Sequence, residues 1–217
     1  MLSTRNLPSD LMKYTLKCFI LSVLIVCLVC SCSQDLTEED DGEYGRTIYA
    51  CISITGYGDV YLELYPDVAP LTVENFVSNA NDLIYNDTLI HWVGSGFGIQ
   101  GGDPTGSGYG LEGQNRIKGE FTENGVKNKI SHVRTTVTMA RSSSEYDSAT
   151  SQFMILVTDQ TQLDGRYAAF GRVISNMAAI DAISAVQVYE DNYRPVDDIV
   201  LKTVTVYETL PESVILD

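Results

Sequence analysis

Histidine, tryptophan and cysteine are scarce in this chain, and positive charge is scarcer than negative. Its 217 residues hold two histidines, His91 and His132, and one tryptophan, Trp92. Four of its five cysteines, Cys18, Cys27, Cys30 and Cys32, sit near the start. Cys51 stands alone in the remainder, so no disulfide can close there. Two histidines without a Cys-x-x-Cys pair in the body of the chain argue against a transition-metal site. Lys and Arg number 14 against 29 Asp and Glu, a net charge of −15. An acidic surface repels phosphate backbones, which excludes nucleic acid as a natural partner. The longest apolar run, Cys18 to Cys30, falls short of the roughly 20 residues a membrane-spanning helix needs.

That run follows a basic lead of Arg5, Lys13 and Lys17, and suits the apolar region of a secretory signal better than an anchor helix. Val29-Cys30-Ser31-Cys32 resembles a bacterial lipobox, with the small Ser31 before the cysteine to be modified. The resemblance implies a signal peptide over 1–31 and a lipidated Cys32. Palmitate-type chains would hold the mature lipoprotein on a membrane, each buried CH₂ adding about 0.8 kcal/mol. Residues 32–46 carry the acidic stretch SQDLTEEDDGEYGR and read as a flexible tether. They lack the ligand spacing and closing glutamate of a calcium loop. An acidic stretch after such a cysteine also resembles the surface-export signal of some Bacteroidetes-type lipoproteins. The expected location is the cell envelope, lipid-anchored, on the periplasmic side or the outer-membrane surface.

The hydrophobic fraction of 44% is enough for one core. Alternation of Val60, Leu62 and Leu64 with Tyr61, Glu63 and Tyr65 predicts a half-buried strand. Val73, Phe76, Val77 and Ala80 fall at helical spacing, with Pro70 in the first turn. Further strands are expected over 88–93, 97–101, 135–140, 152–157, 168–174 and 199–207. A second short helix over 177–185 takes Ser175 or Asn176 as its N-cap. Cys51 lies in the alternating run 48–54 and reads as a buried thiol, since no basic group is close in sequence. Short strands with Gly-rich turns and no internal repeat predict a mostly β sandwich or barrel.

The run His91-Trp92-Val93-Gly94-Ser95-Gly96-Phe97-Gly98-Ile99-Gln100-Gly101-Gly102-Asp103 is the most specific in the chain. It resembles the signature of cyclophilins, the barrel-type peptidyl-prolyl cis-trans isomerases. Further blocks follow in that family's order: Leu64 to Pro70 with Thr72 to Phe76, Gln100 to Gly106, Glu120-Phe121, Val137 to Ala140, Ser151 to Phe153, Leu163 to Tyr167 and Phe170 to Val173. The resemblance implies a closed eight-stranded antiparallel barrel capped by two helices over 47–208, a tail over 209–217, and a monomer.

It also implies a site that rotates X-Pro bonds. Such a bond isomerises slowly because its C–N bond is partly double. A catalyst must hold the proline ring and favour the twisted amide. Phe97 and Gln100 take catalytic positions by resemblance, and the family's catalytic arginine falls on Trp92. The substrate-binding set is Trp92, Phe97, Gln100, Ala140, Arg141, Gln152, Met154, Leu163 and Tyr167. Met154 replaces a phenylalanine. Gly98 replaces a methionine, which removes a wall. Gln162 replaces a tryptophan linked to cyclosporin binding, so weak binding of that drug is expected. Indole has one N–H and no charge, and cannot reproduce a guanidinium fork. Arg134, Arg141 and Arg166 are candidates to substitute for it.

His91 and His132 read as hydrogen-bonded structural residues. Gly106-x-Gly108-x-Gly110 lacks the Lys-Ser/Thr of a phosphate loop, and the resemblance makes it the family's mobile loop. Ser142-Ser143-Ser144 has no Ser-His-Asp setting. The many tyrosines alternate on strands, which favours packing. No cofactor is implied, since bond rotation needs none. The expected partners are proline-containing polypeptide segments of exported proteins and a membrane reached through the lipid. The alternative to a weakened isomerase is a non-catalytic module that holds Pro-containing peptides.

Overall fold

A computed structural model describes residues 44–217. The signal segment, Cys32 and the tether up to residue 43 lie outside the described residues. Strand β1 (Ile48–Ile54) pairs with β2 (Gly58–Leu64), Ile48 opposite Leu64 and Ile54 opposite Gly58. Ala50, Ile52, Ile54, Val60, Leu62 and Leu64 all enter the core. A slip of one residue would turn that whole set to water, which fixes the register. Helix α1 (Pro70–Asn81) buries Val73, Phe76 and Ala80 and carries Pro70 where its missing N–H costs nothing. Strands β3 (Thr88–Leu89), β4 (Trp92–Gly94), β5 (Gly98–Gly101), β6 (Thr136–Met139), β7 (Phe153–Leu156) and β8 (Ala169–Ser175) follow. Helix α2 (Met177–Ser184) and β9 (Val200–Tyr207) complete the order.

The strands form one antiparallel sheet in the order β3-β9-β1-β2-β8-β6-β7-β5-β4. This corrects the expected closed barrel of eight strands: the sheet is an open, curled half-barrel of nine. The cause lies in the segment 88–93, expected as one strand. Thr88 and Leu89 pair with Leu201 and Val200 of β9, and the Ile90 N–H donates to the Ile199 carbonyl. The His91 N–H then donates to the Gln100 carbonyl, and Trp92 lies opposite Gln100 of β5. The segment changes partner at Ile90–His91 and so supplies both edges of the sheet. An isolated bridge between Leu89 and Asp103 links β3 to the stretch just after β5.

Phe76, Tyr85, Phe153 and Phe170 fill the interior, with Phe76 5.5 Å from Phe153 and 5.4 Å from Phe170 between ring centres. Truncating a fully buried ring of this kind to alanine removes about 3–5 kcal/mol. Cys51 is buried as expected, and burial pushes its thiol up to about 11, which keeps it protonated and inert.

Both helices are capped from far along the chain. Glu120 is buried and accepts from the Leu71 and Thr72 N–H groups at 3.1 and 2.8 Å and from the Thr72 hydroxyl at 2.7 Å. Its carboxylate meets the positive end of α1. Asn176 does occupy the N-cap position of α2, but its backbone is left-handed and its side chain makes no cap bond. Its amide donates instead to the Tyr57 and Asp59 carbonyls. The Asp217 carboxylate caps α2, accepting from Asn176 and Met177 N–H at 3.0 and 2.6 Å. The segment 209–217 is therefore bonded back onto the domain. At the other end Tyr44 stacks on Tyr65 at 4.6 Å, so ordered contacts begin before Thr47.

Candidate active site

Strands β4, β5, β7 and β6 form the floor of the site. Trp92 lies opposite Gln100, Gln100 opposite Met154, and Met154 opposite Thr138. Directly opposed residues share a face. Their neighbours Val93, Ile99, Ile155 and Val137 enter the core, so Trp92, Gln100 and Met154 form a row on the opposite face, the first two partly exposed and Met154 nearly covered. Gly94 and Gly98 flank that row. A Cβ on Gly94 would strike the Trp92 ring, and one on Gly98 would strike the Ile155 carbonyl. The close approach of the β7 backbone thus leaves no room for a side chain at position 98. The indole lies over Gly94, edge-on to Phe97 at 5.7 Å and 6.1 Å from Tyr193.

Gln100 donates from Nε2 to Gln152 Oε1 at 2.8 Å, and Gln152 donates to the Gly108 carbonyl at 3.2 Å. The Ala140 N–H donates to the Gln152 carbonyl at 2.9 Å. These residues line a cavity of about 560 Å³ that also reaches Tyr109, Arg116 and Arg141. The glycine-rich loop closes one end of it. Asp103 is fully buried and accepts from the Thr105, Gly108 and Gly110 N–H groups at 2.8, 2.6 and 3.2 Å. Burial pushes its carboxyl up, but the bonds from Thr105, Gly110 and Gly108 together hold it below the usual carboxylate range. Loop amides that could face a phosphate are turned onto the chain's own anion. Gly106, Gly108 and Gly110 adopt φ of 65°, 83° and 79° to do so.

Leu163 ends a short 3₁₀ turn, Thr161–Leu163. That region is fastened to the turn bearing Phe97: Thr158 Oγ1 and Gln160 Nε2 donate to the Gly96 carbonyl at 2.6 and 3.3 Å. Beneath it His132 joins Thr138 Oγ1 at 3.0 Å and Asp164 Oδ1 at 2.9 Å, the structural role expected of it. The sequence hydroxyl, imidazole, carboxylate has the order of a nucleophilic triad. Thr138 has no exposed surface, so no substrate reaches it. Burial lowers the His132 pKa, and Asp164 offsets this in part. Gln162 is exposed and donates to Gln160 Oε1 at 2.6 Å.

His91 departs from expectation. It is buried, yet neither ring nitrogen makes a well-formed hydrogen bond among the described residues. Burial lowers its pKa, against the opposing pull of Asp103. The three arginines considered as substitutes are committed elsewhere. Arg134 makes a two-pronged pair with Asp181, both bonds 2.7 Å. Arg166 faces Glu123 at 3.7 Å. Arg141 donates to the Arg166 carbonyl at 3.0 and 2.8 Å and to the Ser142 carbonyl at 2.7 Å. Its guanidinium also sits over Phe121, Tyr146 and Tyr167, 4.5 Å from the last. Tyr167 therefore supports Arg141.

The segment 189–198 bears no chemical motif in the sequence. It packs against β4, the Val93 N–H donating to the Tyr193 carbonyl at 2.9 Å. It brings Asn192 and Arg194 beside Trp92 and Gln100. Its residues show neither strand nor helix periodicity, and only the turn-forming Asn192 and Pro195 hint at a hairpin.

Residues 49–206 match the family model described as cyclophilin type peptidyl-prolyl cis-trans isomerase/CLD. The chain belongs to the cyclophilin family. Among cyclophilin relatives, it is 34% identical over 154 residues to human peptidyl-prolyl cis-trans isomerase-like 3, covering 70% of this chain and 92% of that protein. It is 36% identical over 157 residues to peptidyl-prolyl cis-trans isomerase A of Dickeya dadantii, covering 70% and 78%. The crystal structure of a Cryptosporidium parvum cyclophilin type isomerase, solved in the presence of the dipeptide Ala-Pro, superposes with a TM-score of 0.66 at 27% identity. It covers 73% of this chain and 98% of its own.

Proposed function

We propose that this cyclophilin is a lipid-anchored peptidyl-prolyl cis-trans isomerase of the cell envelope, acting on X-Pro bonds of exported proteins with reduced turnover. The observation that carries the reading is the row of Trp92, Gln100 and Met154, with Phe97 set edge-on to the indole. It offers an apolar face for a proline ring beside an amide donor held by Gln152. Rotation about the C–N bond moves no atom between molecules, so apolar grip and a donor to the twisted amide suffice. Relatives named peptidyl-prolyl cis-trans isomerases support the reaction. The signal-like segment and Cys32 support the anchor.

Reduced turnover rests on Trp92. Loss of one preorganised donor from a site of this kind costs roughly 10²–10³ in rate. The same residue favours the second reading, a module that holds proline segments without turning them over, since an indole face stacks well on a proline ring. Exchange NMR on an Ala-Pro peptide with the purified protein separates the two. Accelerated cis-trans exchange supports the enzyme. Saturable quenching of the single tryptophan, with exchange at the uncatalysed rate, supports the module.

A further inference from the structure

A second cavity lies beside Trp92. Its volume is about 310 Å³, and His91, Trp92, Gln100, Ser107, Tyr109 and Arg194 line it. Gln100, Gly108 and Tyr109 also line the larger cavity, so the two are neighbours across these residues.

Its outer wall is a tight hairpin. Val188 bridges Pro195, the Tyr189 N–H donates to the Arg194 carbonyl at 2.9 Å, and the Tyr193 N–H donates to the Tyr189 carbonyl at 2.9 Å. The Val93–Tyr193 bond and the Tyr193 ring against Trp92 pin that hairpin to β4. The backbone that carries Arg194 is therefore fixed relative to the row of Trp92 and Gln100. Its guanidinium donates from Nη2 to Asp198 Oδ1 at 2.9 Å, while Nε and Nη1 have no acceptor among the described residues. A partly exposed ion pair of this sort holds an arginine weakly and leaves it able to turn toward a ligand. The inner wall is His91, only 6% exposed, whose nitrogens have the Leu89 backbone and the Gln152 side chain near but no well-formed bond among the described residues. Buried polar groups normally find partners, and a polar wall without them is suited to a bound polar group.

We propose that this cavity is a second arm of the substrate cleft, and that Arg194 donates there to a backbone carbonyl of the peptide beside the rotating bond. The proposal rests on the isomerase reading above. Asp198 already neutralises the guanidinium, which suits it to a neutral carbonyl better than to a carboxylate. The cation absent from β4 is in this view supplied from a hairpin about a hundred residues further along the chain.

The test is exchange NMR on the Ala-Pro peptide with the wild-type protein and three variants. Arg194→Ala should lower kcat/KM by about tenfold or more, mostly through kcat; a fully preorganised donor would give about 10²–10³. Arg194→Lys should lose less. Lys202→Ala removes a surface pair with Asp87 and should match the wild type. Adding Trp92→Arg to the Arg194→Ala protein should restore the rate, because the donor then returns from β4. An active wild type with Arg194→Ala within twofold of it would overturn the inference and leave the isomerase reading intact. A rate loss that Trp92→Arg does not repair, accompanied by a lower melting temperature, would assign Arg194 a structural role and also overturn it. A wild type with no turnover sinks both.

Discussion

On the β6 side of the cleft Arg141 is held by four bonds to three carbonyls and by three aromatic rings. On the β4 side stands the uncharged Trp92, and the nearby Arg194 keeps two of its nitrogens unbonded among the described residues. The side with the conspicuous arginine has its cation locked into the scaffold. The side that looks depleted has one within reach, borrowed from another segment. A cation's presence in a cleft therefore says little about its availability. What decides is how many of its donors the fold has already used.

The largest expected effect comes from changing the β4 side alone. Because Arg194 already offers a donor, Trp92→Arg should raise kcat/KM of the wild type by about tenfold, less than the roughly 10²–10³-fold of a donor returned to a site that has none. Peptide affinity should be little changed, as read by exchange NMR and titration. Gain in affinity without gain in rate would show that the pocket, and not the donor, has diverged. Arg141→Met on the β6 side should do the reverse. It removes charge-assisted bonds to carbonyls and cation–π contacts, and should cost about 1–3 kcal/mol of stability. Turnover should stay within a few-fold of the wild type. A thermal melt and the same exchange assay would check this, and a collapse of kcat in a well-folded variant would erase the contrast between the two sides.

The smallest effect is in acid. Burial holds both His91 and His132 below the ordinary histidine value of 6.5. Between the depressed folded value and 6.5 the unfolded chain binds more protons. Stability is thus complete above that window and declines as the pH falls through it. Asp103 acts on His91 through its charge alone, whereas Asp164 also bonds the His132 ring, so His91→Gln should flatten the decline more than His132→Gln. Urea midpoints at pH 7 and pH 5 would measure it. Equal slopes for both variants would mean that Asp164 does not favour the charged ring.

Much of the architecture could be read from periodicity. The alternation through 48–54 and 60–64 and the spacing of Val73, Phe76 and Ala80 each mapped onto one element, because each buries one face. The split at Ile90–His91 could not be read this way. Residues on both sides of it are strand-like, and only the exchange of β9 for β5 as partner divides them. The site shows the same boundary. Trp92, Gln100 and Met154 are legible as a row once their strands pair, since register fixes the shared face. Arg194 is not, because its place depends on a hairpin docking against β4 from far along the sequence. The caps were missed for the same reason. Asn176 had the right chemistry at the right position, but its left-handed backbone turned its amide toward Tyr57 and Asp59.

Those distant caps bear on the order in which the molecule assembles. Helices of this length are marginal alone in water. Here α1 gains its anionic partner only when Glu120 arrives, and α2 only when Asp217 returns. Neither helix is a self-sufficient nucleus. Each would consolidate late, after the strands had brought the far segments home, and refolding should be governed by long-range closure. A chain emerging from the ribosome would carry α1 uncapped until residue 120 was made. Throughout that interval Phe76 would lack Phe153 and Phe170, the rings that later enclose it.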